Sequence, residues 1–385
     1  MAELTVDASE GEGRVLVLNA GSATLKATVL DLPQADPRFE RIVDWSADAS
    51  AADTALMELL DAIAVNSIAL DTVDAVGHRV VHGGERFTAP TRLDDEVVAA
   101  LEELTDLAPL HNPVALATIR AARSRLADIP HVAAFDTSFH ATLPSSARRY
   151  PVPDAWVRDH GIRRYGFHGL SVEWSVGRAA ALLARPASEL RIVVAHLGGG
   201  CSVTAVDAGR SVDTSMGMTP SEGLMMATRA GSIDPGILFR LLRAGIDADA
   251  VERGLDHGAG LLGVGGSADV RVLLAAQASG DARASLAIEL FVRRAAAGIA
   301  GAATNLGSLD AIVFTGGIGE HAVTVRARIC ERLHLLGVPV PDSEAVGGDA
   351  VGGDAVIGRN QAGPAVIKAH AREDVVIARA ALRLS

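Results

Sequence analysis

Lysine is almost missing from this chain of 385 residues: only Lys26 and Lys368 occur, and arginine carries the rest of the positive charge. The formal net charge is −12, so the sequence advertises no basic surface and nucleic acid is not an expected partner. Cysteine is scarce as well. Cys201 and Cys330 stand far apart without CxxC spacing, so neither a disulfide framework nor a zinc site is indicated. No apolar run is long enough to span a bilayer. The opening stretch MAELTVDASEGEGR is acidic and lacks the apolar segment of a signal peptide. These absences set the expectation of a cytoplasmic protein without a nucleic-acid or membrane partner. The remainder is ordinary for a globular chain, with 49% hydrophobic and 21% charged residues and length enough for two sizeable domains. An acidic protein can still bind phosphates locally, because a few arginines and backbone N–H groups suffice.

Strand and helix patterns alternate along the chain. RVLVLN and KATVLD read as apolar strands joined by a polar turn, and FERIVDW as a third, antiparallel strand. ADTALMELLDAIAV, LDDEVVAALEELTDLA and NPVALATIRAARSRLA have helical spacing, with Asp94 and Asp95 suited to a first turn and Pro113 near a helix start. DAVGHRVV and HVAAFD read as buried strands. After YPVPDAW the pattern restarts: LRIVVAHLGGGCSVTAVDAGRSVDTS gives strand, glycine turn, strand, short turn and strand. Helical stretches follow (PGILFRLLRAG, then RASLAIELFVRRAAAGIAGAATNLG). Next comes LDAIVFTGGIGEH, a strand running into a glycine turn, with a helix from about Ala322. Two halves, each opening with strand, small-residue turn and strand, predict a duplicated α/β fold. The repeat VGGDAVGGDAV, residues 346 to 356, is expected to be a flexible surface loop.

Three glycine-rich turns follow apolar strands: NAGS at 19–22, HLGGG at 196–200 and TGGIGEH at 315–321. Glycine lets backbone approach a ligand closely and aims several N–H groups at one point, which suits phosphate oxygens. None has the P-loop or dinucleotide spacing. Singly each is a structural turn; together they point to a nucleotide site. Cations stand beside glycine and apolar residues in three other loops: Arg79 in GHRVVHGGERF, His168 in RRYGFHG and Arg229 in GLMMATRAGSIDPG. Two arginines and an imidazolium suit the charge spread over a transferring phosphoryl group, and arginine also clamps a carboxylate. Asp136 leaves a buried strand at its C-terminal end, a position that suits catalysis or a cap for the next turn. Glu373 and Asp374 head the last helical pattern, where acids also favour the helix dipole.

The segments NAGSATLK, GHRVVHGGE, APLHNP, AFDTSFHATLP, RRYGFHG, AHLGGGCSV, DTSMGMTPSEGLMMATRAGSIDPG and FTGGIGEH, in that order, resemble the acetate kinases over nearly the whole chain. The resemblance implies two ribonuclease-H-like domains of the actin, sugar-kinase and Hsp70-ATPase fold group with an active-site cleft between them. Residues 1–138 with 374–385 would form the first domain, and 139–373 the nucleotide-binding second. It implies Mg²⁺-dependent (or Mn²⁺-dependent) phosphoryl transfer between ATP and acetate, giving ADP and acetyl phosphate, by a homodimer. By the same resemblance Asn19 and Glu373 are metal-linked, with Asp374 an alternative to Glu373. Lys26 lies near the nucleotide phosphates. Arg79 binds the carboxylate substrate, and Val81, Leu110, Phe167 and Pro220 hold its methyl group. Asp136, His168 and Arg229 are catalytic. His196, Leu197, Gly198, Gly199 and Gly200 form one nucleotide loop and Gly317, Ile318, Gly319, Glu320 and His321 another, with Asp269, Val270 and Arg271 on the adenosine side. Ala23, Gly199 and His321 depart from the family pattern, as does the residue after Arg271, all on the nucleotide side. A propionate or butyrate kinase of the same family is the near alternative, and a non-catalytic actin-like nucleotide-binding scaffold the distant one.

Overall fold

A computed structural model describes residues 11–21, 24–45, 51–109, 111–341 and 353–385. Ser22, Leu110 and most of the VGGDA repeat therefore lie outside the described residues. The chain divides into two units, one running to Ala141 and resuming at Arg372–Ser385, the other spanning Thr142–Ala371.

The apolar run Val15–Leu18 is buried on both faces, and that is what makes it a central strand rather than an edge. It lies in β1 (Gly13–Ala20), which pairs antiparallel with β2 (Thr24–Leu32), itself antiparallel to β3 (Pro37–Asp44). On its other side β1 pairs parallel with β4 (Ala75–Val80), and β4 parallel with β6 (His131–Phe135). The short β5 (Thr91–Arg92) closes that edge antiparallel to β6. The sheet order is β3-β2-β1-β4-β6-β5. Helices Ala51–Val65 and Asn112–Arg125 bring Leu56, Leu59, Ile63 and Val114 onto one core with Leu16, Leu18 and Val76.

The second unit repeats this plan. Strands β7 (Arg191–Leu197), β8 (Cys201–Asp207) and β9 (Arg210–Thr214) form an antiparallel meander. Beside β7 lies β10 (Ala311–Thr315), parallel to it and buried throughout. Next come β11 (Ala355–Gly358) and β12 (Ala365–Lys368), with β12 parallel to β10 and β11 antiparallel at the edge. Read from the meander inward, β9-β8-β7-β10-β12-β11 has the strand directions of the first sheet. This duplicated topology is the actin-like ATPase arrangement of two similar α/β domains.

Several details differ from the sequence reading. TGGIGEH is more than a turn: Gly316 turns the chain with φ 75° as β10 ends, and Gly316–His321 is a short helix. The helix begun at Asp95, capped by Asp94 through Val97 N–H at 2.8 Å, stops at Glu102. Helices Ala248–His257 and Val270–Ala278 were not anticipated; Asp247 and Asp269 cap them. The unit boundary falls at Ala141/Thr142 and Ala371/Arg372 rather than after 138 and 373. Glu373 opens the terminal helix Glu373–Leu384, and so it goes with the first unit.

That helix packs on the first sheet through Val375, Ile377, Ala378 and Ala381. Burying each Val or Ile there contributes roughly 1.5–3 kcal/mol. Gly77 makes the approach possible: a Cβ on it would lie 2.6 Å from Ile377 Cγ2. The close contact seats the helix beside the end of β4, three residues beyond Gly77. Among the described residues, no single helix is long and apolar enough to cross a membrane.

Beneath the same strands lies a buried histidine pair. His131 Nε2–H donates to Leu126 C=O at 3.1 Å, which leaves Nδ1 to accept from His78 Nε2–H at 2.9 Å. Both rings are thereby neutral. Burial, then His131 and Arg123, hold His78 well below the ordinary imidazole range; burial and Arg123 lower His131 despite its bond to Leu126. The unfolded chain binds protons that the folded chain refuses below about pH 6.5, so stability falls as pH drops through that value. Urea midpoints at about pH 7 and about pH 5 should show this loss, at up to about 1.4 kcal/mol per ring per pH unit. His78→Gln keeps a donor for His131 and should flatten the slope; an unchanged slope would assign the acid sensitivity elsewhere.

Candidate active site

In the first unit the strand ends deliver four polar side chains to one place. Asn19 and Lys26 face each other across the β1–β2 hairpin, whose tip is closed by Gly21 N–H to Thr24 C=O at 2.8 Å. Arg79 lies near the end of β4, and Asp136 directly follows β6. Asp136 grips the guanidinium with both oxygens, from Nε at 2.9 Å and Nη2 at 2.6 Å. Arg79 Nη1 donates to Asn19 Oδ1 at 3.3 Å, and Glu373 Oε2 lies 3.6 Å from Nε. Asp136 is thus a partner of Arg79 rather than a cap for the following turn. Burial disfavours the Arg79 charge, but Asp136 and Glu373 outweigh it and raise its pKa. Burial raises the pKa of Glu373, against the pull of Arg79 and with the push of Asp136 and Asp374. Asp374 turns instead to Arg372, 2.9 Å away. Lys26 pairs with Glu40 at 2.8 Å.

The loop after β4 is built to stay still. Asn112 accepts from His82 N–H at 3.2 Å and donates to His82 C=O at 3.0 Å, while Thr137 accepts from Gly83 N–H at 3.1 Å. His82 is fully buried, and so it belongs to this scaffold together with Val81.

In the second unit both glycine turns stand at the C-terminal ends of neighbouring parallel strands, with Thr315 in register with His196. A Cβ on Gly316 would lie 3.2 Å from His196 Nε2, and one on Gly198 3.7 Å from Gly317 N. The turns therefore converge on His196, while Gly199 and Gly317 have open space where a Cβ would go. The His196 ring stacks on His168 with centroids 4.1 Å apart. Each ring is oriented by a hydroxyl: His168 Nδ1 with Ser202 Oγ at 3.0 Å, and His196 Nδ1 with Ser171 Oγ at 2.8 Å. His168 itself has left-handed backbone, φ 58°, at the head of helix Gly169–Leu183. That conformation is uncommon for a residue with a Cβ and costs free energy, which the ring's two contacts offset.

Arg229 completes this group. A Cβ on Gly200 would meet His168 Nε2 at 3.1 Å and Arg229 Nη1 at 3.7 Å, so the imidazole and the guanidinium both face the bare backbone of Gly200. Arg229 Nη1 donates to Pro220 C=O at 3.2 Å and approaches Met226 Sδ at 3.9 Å, but among the described residues it forms no ion pair. Burial lowers its pKa, only partly opposed by the more distant Asp256. A half-buried guanidinium without a carboxylate is an anion site in waiting.

Other expected site residues have structural partners. Asp269 caps helix Val270–Ala278 through Arg271 N–H at 2.8 Å and pairs with the exposed Arg271 side chain at 2.6 Å. Glu320 is buried and accepts from Ala371 N–H at 3.0 Å and from His370 Nδ1. Those bonds lower its pKa against the opposing effect of burial. Of the expected methyl pocket, Val81 is in the first unit and Phe167 and Pro220 in the second. Ser171, Ser202, Asn112 and Thr137 escaped the sequence reading.

Residues 14–379 match the model of the acetokinase family. The chain belongs to that family. It is 46% identical to an acetate kinase of Deinococcus deserti, over 84% of this chain and 86% of the relative. Against an acetate kinase of Gloeobacter violaceus it is 42% identical over 95% and 98%. The solved acetate kinase of Porphyromonas gingivalis superposes with a TM-score of 0.88 at 34% identity, covering 97% of this chain and 99% of that one. A propionate kinase from Francisella tularensis superposes equally well, 0.88 at 32% identity over 97% and 100%. In this acetokinase Gly200 is the glycine that lies against both His168 and Arg229. Gly200→Ala should displace the His168 ring and lower turnover at least about 10-fold, since small misplacements of reacting groups are costly. Comparing kcat and the His168 imidazole NMR signals of the two proteins checks this; unchanged values would mean the ring has room to shift.

Proposed function

We propose that this acetokinase is an acetate kinase, transferring the γ-phosphoryl group of ATP to acetate. The observation that carries the reading is Arg229: a half-buried cation without a carboxylate, beside His168, over a glycine turn. Such a group suits charge on a transferring phosphoryl. An acetate oxygen attacks the γ-phosphorus, the new O–P bond forms as the bond to the ADP oxygen breaks, and charge and protons balance without a base. Acetate is already ionised at neutral pH, its pKa being about 4–5. The barrier lies instead in bringing two anions together and aligning them.

Each side chain then has a task. Arg79 commits three of its five N–H groups to Asp136 and Asn19, which leaves two for the acetate carboxylate. Asp136 aims that fork and takes no proton from the substrate. Val81, Leu110, Phe167 and Pro220 are assigned to the acetate methyl by resemblance. Arg229 and the His168 Nε2 side face the phosphoryl oxygens. The backbone of Gly198–Gly200 and Gly317–Ile318 receives the nucleotide phosphates, with His196, Leu197, Gly319 and His321 lining that side, Lys26 near the phosphates, and Asp269–Arg271 toward the adenosine.

A divalent metal fits the oxygen donors Asn19 Oδ1 and Glu373. Among the described residues no cluster of three His, Cys, Asp or Glu forms a cage, and Mg²⁺ usually takes one or two protein oxygens plus phosphates and water. Mg²⁺, or Mn²⁺ in its place, would neutralise phosphate charge there. For assembly, helix Pro235–Arg243 buries none of its residues and exposes Phe239 (55%), Ile237 (44%) and Leu242 (43%), an apolar face suited to a second copy of this chain.

Trapping acyl phosphate as the hydroxamate with acetate, propionate and butyrate tests the reading. Acetate should have the highest kcat/KM, with each added methylene changing it by roughly 1–3 kcal/mol. A preference for propionate would move the assignment to the sibling activity of the Francisella neighbour. Arg79→Lys keeps the charge but loses the fork, and should raise the acetate KM and lower kcat at least about 10-fold. A raised ATP KM with an unchanged acetate KM would take Arg79 off the acyl side. Phe239→Glu should halve the mass seen by light scattering; an unchanged mass would remove that helix from the dimer contact.

A further inference from the structure

The chain passes between its two units a second time at Ala371–Arg372, and the residues just before this crossing are held with unusual completeness. His370 N–H donates to Asp354 Oδ1 at 2.7 Å, and its C=O accepts from Trp174 Nε1 at 2.7 Å. Asp354 pairs with Arg178, which lies with Trp174 on the helix headed by His168. Ala371 N–H donates to Glu320 Oε1 at 3.0 Å, and His370 Nδ1 donates to Glu320 Oε2. The backbone of Glu320 is fixed in turn. Arg326, 1% exposed, donates from Nη1 to Gly319 C=O and to Glu320 C=O, both at 2.7 Å. One residue beyond the crossing, Arg372 donates to Ala35 C=O in the first unit at 2.7 Å. Glu373 follows immediately, 3.6 Å from Arg79.

Glu320 thus has both carboxylate oxygens taken by the crossing segment, on the same short helix whose glycines face His196. We propose that Glu320 is a positioning residue: with His370 it clasps the Gly316–His321 helix to Ala371, so that nucleotide bound at that helix fixes the backbone of Ala371 at the end of the second unit. The proposal rests on the acetokinase reading for its nucleotide, and it replaces a direct nucleotide contact by Glu320 with an indirect one.

The test compares the parent with Glu320→Ala, Glu320→Gln and His370→Ala. Hydrogen exchange at residues 371–374, with and without ADP, is the first readout. In the parent, ADP should slow exchange there; in Glu320→Ala, exchange should be at least about 10-fold faster and ADP should no longer slow it, because the Ala371 amide has lost its buried acceptor. Kinetics is the second. Glu320→Ala should lower kcat at least about 10-fold, as a misplaced group does, while the ADP dissociation constant stays within about 3-fold. Glu320→Gln retains an acceptor for Ala371 and should recover most of kcat. His370→Ala should cost less, and nothing further in the Glu320→Ala background. A weakened ADP affinity with kcat and the ADP-dependent protection intact would make Glu320 a direct nucleotide contact and overturn the clasp. Protection of 371–374 by ADP that persists in Glu320→Ala would overturn it as well. A parent that forms no acyl phosphate refutes the acetate kinase reading, whereas the exchange comparison still judges the clasp.

Discussion

A guanidinium taken out of water needs an anion, and this protein treats two arginines in opposite ways. Arg79 has its counter-charge built in: Asp136 holds it by two oxygens and Glu373 stands close behind. Arg229 forms no ion pair among the described residues and lies against backbone carbonyl, thioether and glycine. The first is thereby a rigid fork that binds without bringing excess charge. The second is a deficit of negative charge. The rest of the site serves this contrast, since His168 adds a donor beside Arg229 and Asn19 steadies Arg79.

The fold supplies both groups from equivalent places. Arg79 and Asp136 stand at the ends of parallel strands in the first sheet, and the glycine turns at the ends of parallel strands in the second. There the backbone leaves the ladder with its polar groups available, and adjacent strands bring together residues distant in sequence. Duplication of one topology gives two such rims. The first rim presents charged side chains, and the second presents bare glycine backbone.

Much of this was legible in the residues. Apolar runs broken by glycine marked the strands β1, β2, β7, β8 and β10, and the repeat of strand, turn and strand marked the duplication. Cations beside glycines marked Arg79, His168 and Arg229. The choice of partners was not legible. Asp136 reads equally as a turn cap or as a partner for an arginine 57 positions away, and only pairing of β4 with β6 decides between them. Glu320 sits in a glycine motif and reads as a ligand contact, yet its carboxylate belongs to Ala371 and His370, 51 and 50 positions on. Helix Gly316–His321 was hidden because glycine has no helical preference of its own; its register comes from β10 and from Arg326.

The division of the chain also has a consequence for synthesis. Residues 142–371 form a contiguous unit, whereas the first unit needs residues 372–385 to cover β1 and β4. On the ribosome the inserted unit can therefore finish folding first, while the earlier-made sheet waits with Gly77 and its neighbours uncovered. Arg79 and Asp136 meet Glu373 only once that helix has emerged, so a truncated nascent chain cannot hold a completed acyl site. The order of translation thus withholds chemistry until the chain has passed Glu373, and a ribosome stalled before that point releases a protein with an exposed sheet, a natural substrate for chaperones.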